Sequence, residues 1–154
     1  MYHRDIDTPW GTLCLTEEDG ALTLIRWDDT GRQDDTPLLR EAAAQLTAYT
    51  QSRLKTFDLP TRVPKGLQAA VCAAMQAIPL GETCTYGEIA RQVGASAQAV
   101  GQACGRNPIP IVIPCHRVLG AAGLTGFSAP GGVETKVALL RHEGASTAQG
   151  GFLI

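Results

Sequence analysis

Three prolines within seven residues, Pro108, Pro110 and Pro114, bracket the apolar run Ile111-Val112-Ile113. Proline fixes φ and offers no backbone donor, so this stretch continues neither a helix nor the interior of a sheet. It is expected to be an extended, buried connector. Cys115, His116 and Arg117 follow at once. A thiol becomes a nucleophile when it is held near a base and a positive charge. Adjacent residues on a strand point to opposite faces, so a link from Cys115 to His116 is expected to run through a water or a turn. His116 then needs an orienting acid. Glu143, in Leu139-Leu140-Arg141-His142-Glu143-Gly144 at the end of the last helical stretch, is the candidate; the plain alternative for it is a solvated carboxylate.

The other four cysteines, Cys14, Cys72, Cys84 and Cys104, read as small buried hydrophobes. The total is odd and no Cys-x-x-Cys pair occurs, so neither a disulfide framework nor a structural zinc site is expected. The 154 residues are 44% hydrophobic and 18% charged, enough apolar material for a core and too much for a disordered chain. No run approaches the ~18 apolar residues of a membrane span. The start, Met1-Tyr2-His3-Arg4, is not a basic segment leading into an apolar one, so no export signal is read and the cytoplasm is the expected compartment.

Charge divides the chain. Residues 1–63 hold seven Lys+Arg against eleven Asp+Glu, net −4, and residues 64–154 hold six against four, net +2. Pro60 and Pro64 punctuate a linker at that point. Two domains follow, 1–63 and 64–154. In the first, Trp10–Leu15 and Ala21–Trp27 read as strands of a hairpin around Glu18-Asp19-Gly20. Asp28–Pro37 reads as a loop, Leu38–Tyr49 as a helix, and Phe57-Asp58-Leu59 as a last short strand.

The second domain starts with an amphipathic helix from Leu67 to Ile78, stopped by Pro79 and Gly81. Thr85 and Glu88 have capping-box spacing, so a helix should begin near Tyr86. Gly94 ends it, and Ser96 caps another running to about Arg106. Two short helices around a Gly-containing turn fit a helix-turn-helix, or any helical hairpin. The second of them, Ala97-Gln98-Ala99-Val100-Gly101-Gln102-Ala103, carries few of the side chains that read base edges. Small residues let it lie close in a groove and read shape rather than sequence.

Pro114-Cys115-His116-Arg117-Val118, preceded by Asn107-Pro108, closely resembles the signature of the O6-alkylguanine-DNA alkyltransferases, the methylated-DNA–protein-cysteine methyltransferases. Supporting matches are Thr85-Tyr86-Gly87-Glu88-Ile89-Ala90, Ala99-Val100-Gly101, Leu124-Thr125-Gly126-Phe127 and His142-Glu143-Gly144. The resemblance covers the last ninety or so residues; the first half is similar only in size and pattern. It implies an α/β (α+β) chain: a small RNase H-like α/β domain, then a mainly helical, winged-helix-like domain with a helix-turn-helix. It implies repair by direct damage reversal in a single turnover. Cys115 is the implied alkyl acceptor, His116 a base acting through a bridging water, Glu143 its orienting partner, and Tyr86 the donor to N3 of the departing guanine. Asn107 holds the turn before the acceptor strand, and Arg117 pairs with a carboxylate. The backbone carbonyls of Cys115 and Val118 recognise the exocyclic amine, and Ser128 is the choice of donor to O6. Thr85, Gln98, Ala99 and Gly101 are the implied DNA contacts. The partner is double-stranded DNA bearing O6-alkylguanine, the protein a monomer. Two features depart from the family pattern. Gln98 stands where an arginine usually enters the base stack, and the loop Gly126–Gly132 is longer.

Three other readings fit parts of the sequence: a non-catalytic lesion binder of the alkyltransferase-like kind, which lacks the acceptor cysteine that is present here; a redox-sensing winged-helix regulator, which leaves Asn107, Tyr86 and Glu143 idle; and a cysteine hydrolase using Cys115, His116 and Glu143.

Overall fold

The computed structural model describes residues 1–121 and 131–145. The chain divides into two compact units, Met1–Val63 and Pro64–Ile154.

The first unit is a three-stranded antiparallel sheet, β1 (Tyr2–Thr8), β2 (Gly11–Glu18) and β3 (Ala21–Trp27), in that order, with one helix, α1 (Pro37–Thr50). The β2–β3 hairpin turns on Asp19 and Gly20, whose φ angles of 50° and 77° are the left-handed pair of a two-residue turn that matches strand twist. α1 begins at a proline capped by Thr36, which suits the fixed φ of the first helical position. Its buried face, Leu39, Ala42, Leu46 and Tyr49, repeats at helical spacing, and the helix packs on β1 and β2.

Two expectations change here. β1 is an additional strand, in full register with β2. The segment 57–59 is not a strand. The backbone of Pro60 and Arg62 instead bonds both sides of Leu22, so the edge of β3 where a short strand could pair is occupied one step later, through Thr61.

The second unit carries α2 (Leu67–Gln76), β4 (Cys84–Thr85), α3 (Tyr86–Val93), α4 (Ala97–Gly105), a 3-10 turn (Cys115–Arg117), β5 (Val118–Leu119) and α5 (Val133–His142). Thr85 Oγ1 accepts from the Glu88 amide at 3.1 Å, and Ser96 Oγ from the Ala99 amide at 3.1 Å, so both helices start where their caps place them. Gly94, at φ 72°, closes α3 with its own amide on Ala90 O, a geometry for which glycine pays no Cβ penalty. No described helix is long and apolar enough to cross a membrane.

The proline-bracketed run is buried but not extended. Residues 109–115 form consecutive tight turns: the Ile113 amide bonds Ile109 O, the Val112 amide Pro110 O, and the Cys115 amide Ile113 O. Ile111 lies at φ 72°, a conformation that costs a β-branched residue strain. Asn107 holds it there. Its Nδ2 donates to Ile113 O at 2.7 Å and its Oδ1 accepts from the Ile109 amide at 3.0 Å. Cys115 therefore sits in a 3-10 turn rather than on a strand.

Candidate active site

Two short pairings fix the site. β4 and β5 run parallel, with Cys84 opposite Val118 and Thr85 opposite Leu119. This ties the first turn of α3, where Tyr86 stands, to the residues that follow the 3-10 turn. The second fixture is the end of α5. Gly144 adopts φ 73°, the Ala145 amide bonds Leu140 O, and the Gly144 amide bonds Arg141 O. This is the Schellman arrangement, completed by contact among Ala145, Leu140 and Leu119. It places Glu143 at the C-cap with its carboxylate turned inward.

Inside, Glu143 binds two neighbours of the thiol. Its Oε2 meets His116 Nε2 at 2.7 Å. Its Oε1 accepts from Arg117 Nε at 2.8 Å and its Oε2 from Arg117 Nη2 at 3.1 Å. The third arm of Arg117, Nη1, donates to Ile78 O at 2.6 Å, one residue past the C-cap of α2. The side chains of His116 and Glu143 are both 0% exposed. A carboxylate only accepts, so Nε2 carries the ring proton and Nδ1 is the basic nitrogen. Nδ1 is buried with no hydrogen-bond partner among the described residues. Burial holds the imidazole below its usual value, against the opposing pull of Glu143; His116 is a neutral base.

Burial also pushes the Cys115 thiol up to about 11, opposed by the Asn107 side chain and the positive charge of Lys136. The resting sulfur is thus protonated, and it needs a base and a cation to react. Burial likewise pushes the thiols of Cys104 and Cys84 up, to about 12 and about 11.

The structure thus gathers Cys115, His116, Arg117, Val118 and Glu143 into one buried cluster, with Asn107 bracing the turn. Tyr86 begins α3, partly exposed, beside β5 through the β4–β5 pairing. Thr85 caps that helix. Gln98 is exposed in the first turn of α4, with Ala99 and Gly101 half-buried after it. Ser128 and Leu124–Phe127 lie outside the described residues. One residue escaped the sequence reading. Lys136, on α5, is 1% exposed; its Nζ donates to Val118 O at 2.6 Å and lies 5.9 Å from the centre of the Tyr86 ring. Among the described residues no group of metal-binding side chains forms.

Residues 66–145 match the family model described as the 6-O-methylguanine DNA methyltransferase DNA-binding domain. The chain is 43% identical to a methylated-DNA–protein-cysteine methyltransferase of Mycolicibacterium paratuberculosis, over 94% of this chain and 95% of that one. It is 39% identical to one from Methanosarcina acetivorans, over 94% and 99%. The chain belongs to the methylated-DNA–protein-cysteine methyltransferase family. Among solved structures, the Mycobacterium tuberculosis protein OGT in complex with DNA superposes with a TM-score of 0.83 at 41% identity, over 94% of this chain and 93% of that one. The structure from Methanococcus jannaschii, at 24% identity and a TM-score of 0.67, shares the fold.

Proposed function

We propose that this family member repairs DNA directly, moving the alkyl group of an O6-alkylguanine onto Cys115 in one irreversible turnover. The observation that carries the reading is the buried Cys115 at the end of a strained, Asn107-braced turn, followed in the chain by a neutral imidazole that a buried carboxylate orients.

The alkylated atom lies inside the stacked duplex, so the nucleotide must leave the stack, at a cost of a few kcal/mol that a damaged pair lowers. The α3–α4 pair serves as a helix-turn-helix. Thr85, Gln98, Ala99 and Gly101 line its DNA face, and the small side chains of α4 admit close approach to a groove without selecting a sequence. The carbonyls of Cys115 and Val118 accept from the exocyclic amine, and Ser128 donates to O6.

Chemistry follows from the charges. His116 Nδ1 takes the thiol proton through a bridging water, and Glu143 steadies the imidazolium that forms, a relay like that of hydrolytic triads. The thiolate attacks the alkyl carbon. One S–C bond forms, the C–O6 bond breaks, and its electron pair passes to the guanine. Tyr86 donates to N3 as that charge develops, and the proton held by His116 makes good the one Tyr86 gives. A thioether is a poor leaving group, so the protein is spent. No metal or organic cofactor enters these steps.

Incubation with a duplex carrying O6-methylguanine, followed by intact-mass measurement, should add about 14 Da, one methylene, to the chain. Peptide mapping should place it on Cys115, and Cys115→Ser should abolish it. An unmodified wild-type chain, or a modified Cys115→Ser chain, refutes the assignment.

A further inference from the structure

α4 is the helix that the proposed function lays against DNA, and its own residues hold it in place weakly. It is built mostly of small side chains, with a glycine, Gly101, in its interior, where glycine is among the poorest helix formers. No basic residue stands in its last turn to meet the carbonyls there. It packs on α2. α2 buries Val71, Cys72 and Met75, and α4 buries Val100, Ala103 and Cys104. Across this interface Cys104 Sγ meets Met75 Sδ at 3.6 Å, a weak contact between soft atoms. Small residues form low ridges, so packing alone fixes the position of α4 along α2 only loosely.

A stronger, directional bond also crosses from α2 to α4. Gln68 stands in the first turn of α2, half-buried. Its Nε2 donates to Ala103 O at 2.8 Å and, one turn along its own helix, to Cys72 Sγ at 3.7 Å. Both protons of the amide nitrogen are thus directed, which fixes the rotamer. Ala103 O is one of the carbonyls at the end of a helix that lack a full intrahelical partner. The Arg106 amide reaches it at 3.2 Å but is shared with Gln102 O at 3.1 Å. The Asn107 amide, which a regular α-helix would send to Ala103 O, closes on Cys104 O at 3.2 Å instead. Gln68 supplies the bond that this tightened last turn leaves weak. Ala103 lies between Gln98 and Asn107 in the chain. Asn107 is fastened to the acceptor turn by its own bonds with Ile113 and Ile109, so that turn keeps its shape without Gln68. What Gln68 sets is where α4 stands relative to it.

We propose that Gln68 is a positioning residue for DNA engagement: its amide clamps the C-terminal turn of α4 onto α2, so that the helix meets the duplex already aligned with the Cys115 turn. The effect of such a clamp appears on binding. A helix ordered beforehand gives up little conformational freedom when it docks; one left loose gives it up at that moment, and affinity falls accordingly. Once bound, the duplex itself holds α4, so the chemical step at Cys115 starts from the same arrangement with or without the clamp. Loss of the Gln68 bond therefore raises the duplex concentration that the reaction needs and leaves its rate at saturation in place.

The inference rests on α4 facing the duplex and on Cys115 being the acceptor, and its test separates the two ideas. In Gln68→Met the side chain keeps its length and loses both donated protons. In single-turnover methyl transfer from an O6-methylguanine duplex, its half-saturating duplex concentration should rise about fivefold, the net worth of one ordinary hydrogen bond, and its limiting rate should stay within about twofold of the wild type. Gln68→Glu keeps the shape and turns an acceptor toward Ala103 O, so it should raise the half-saturating concentration at least as far; it keeps the test open where the Met variant fails to fold. Gln76→Met, the same exchange at the exposed last residue of α2, should change neither quantity. A limiting rate that falls along with the affinity makes Gln68 a general structural residue and overturns the inference. Folded Met and Glu variants with wild-type half-saturation overturn it too, as does an equal effect of Gln76→Met. Fluorescence anisotropy with a labelled undamaged duplex gives the same comparison without chemistry. A wild-type chain that transfers no methyl group refutes the proposed function; the positioning role then stands if Gln68→Met holds the undamaged duplex about fivefold more weakly, and falls if it holds it equally well.

Discussion

Replacing Glu143 by glutamine tests whether the site is held by charge pairing or by shape. The carboxylate accepts from His116 Nε2 at 2.7 Å and twice from Arg117, at 2.8 Å and 3.1 Å, with 0% of its side chain exposed. Glutamine has nearly the same volume but a neutral amide. One oxygen can still accept; the NH2 group meets a donor, either the imidazole N–H or the guanidinium. The Arg117 charge, at 7% side-chain exposure, is left without its anion. Stranding one member of a buried pair costs about 3–5 kcal/mol. Glu143→Gln should lose that much in urea unfolding. The transition is best followed by far-UV dichroism, since both tryptophans lie in the first unit and four of the five described helices in the second. The decisive variant is the double one. In Glu143→Gln/Arg117→Met the stranded charge is gone, so stability should recover by about 1 kcal/mol or more relative to the single variant. A double variant no more stable than Glu143→Gln, or a single variant within about 1 kcal/mol of the wild type, refutes the charge argument.

Two further outcomes are expected. Gln98 is exposed in the first turn of α4, so Gln98→Arg should leave stability unchanged and raise the single-turnover rate or the affinity on duplex substrate; an unchanged rate and affinity dismiss the idea that Gln98 weakens flipping. Burial holds His116 below the ordinary histidine value of 6.5, so the unfolded chain binds a proton at this site before the folded one does. Stability should therefore fall as pH drops below about 6.5, at up to 1.36 kcal/mol per unit from this group, and the slope should shrink in His116→Gln. An identical slope in the variant assigns the acid sensitivity elsewhere.

What the sequence disclosed was local chemistry. Asp19-Gly20 announces its hairpin, Thr85 and Ser96 announce their helices, and Gly94 ends one, because each feature acts within four residues. Pro114-Cys115-His116-Arg117 marks the site itself. The hidden parts depend on distant partners. β1 shows no apolar alternation. Its buried residue is Asp5, which is tolerated because the Thr30 amide and hydroxyl and the Gly31 amide all bind its carboxylate. The apolarity of Ile111-Val112-Ile113 foretold burial, but the left-handed Ile111 depends on the Asn107 side chain reaching six residues ahead. Lys136 sits between Thr135 and Val137 like any helix-surface lysine. Only the meeting of α5 with β5 and α3 turns it inward.

The two-residue β4–β5 ladder has an evolutionary corollary. It acts as a locating pin between the start of α3 and the turn that carries the sulfur. An extra residue before Cys84 or beyond Leu119 leaves the pin seated. One inserted between Thr85 and Tyr86 turns the aromatic ring by about 100° around its helix, out of its place beside Lys136. Across relatives, insertions and deletions should therefore gather outside these four paired positions, however freely the flanking segments change length.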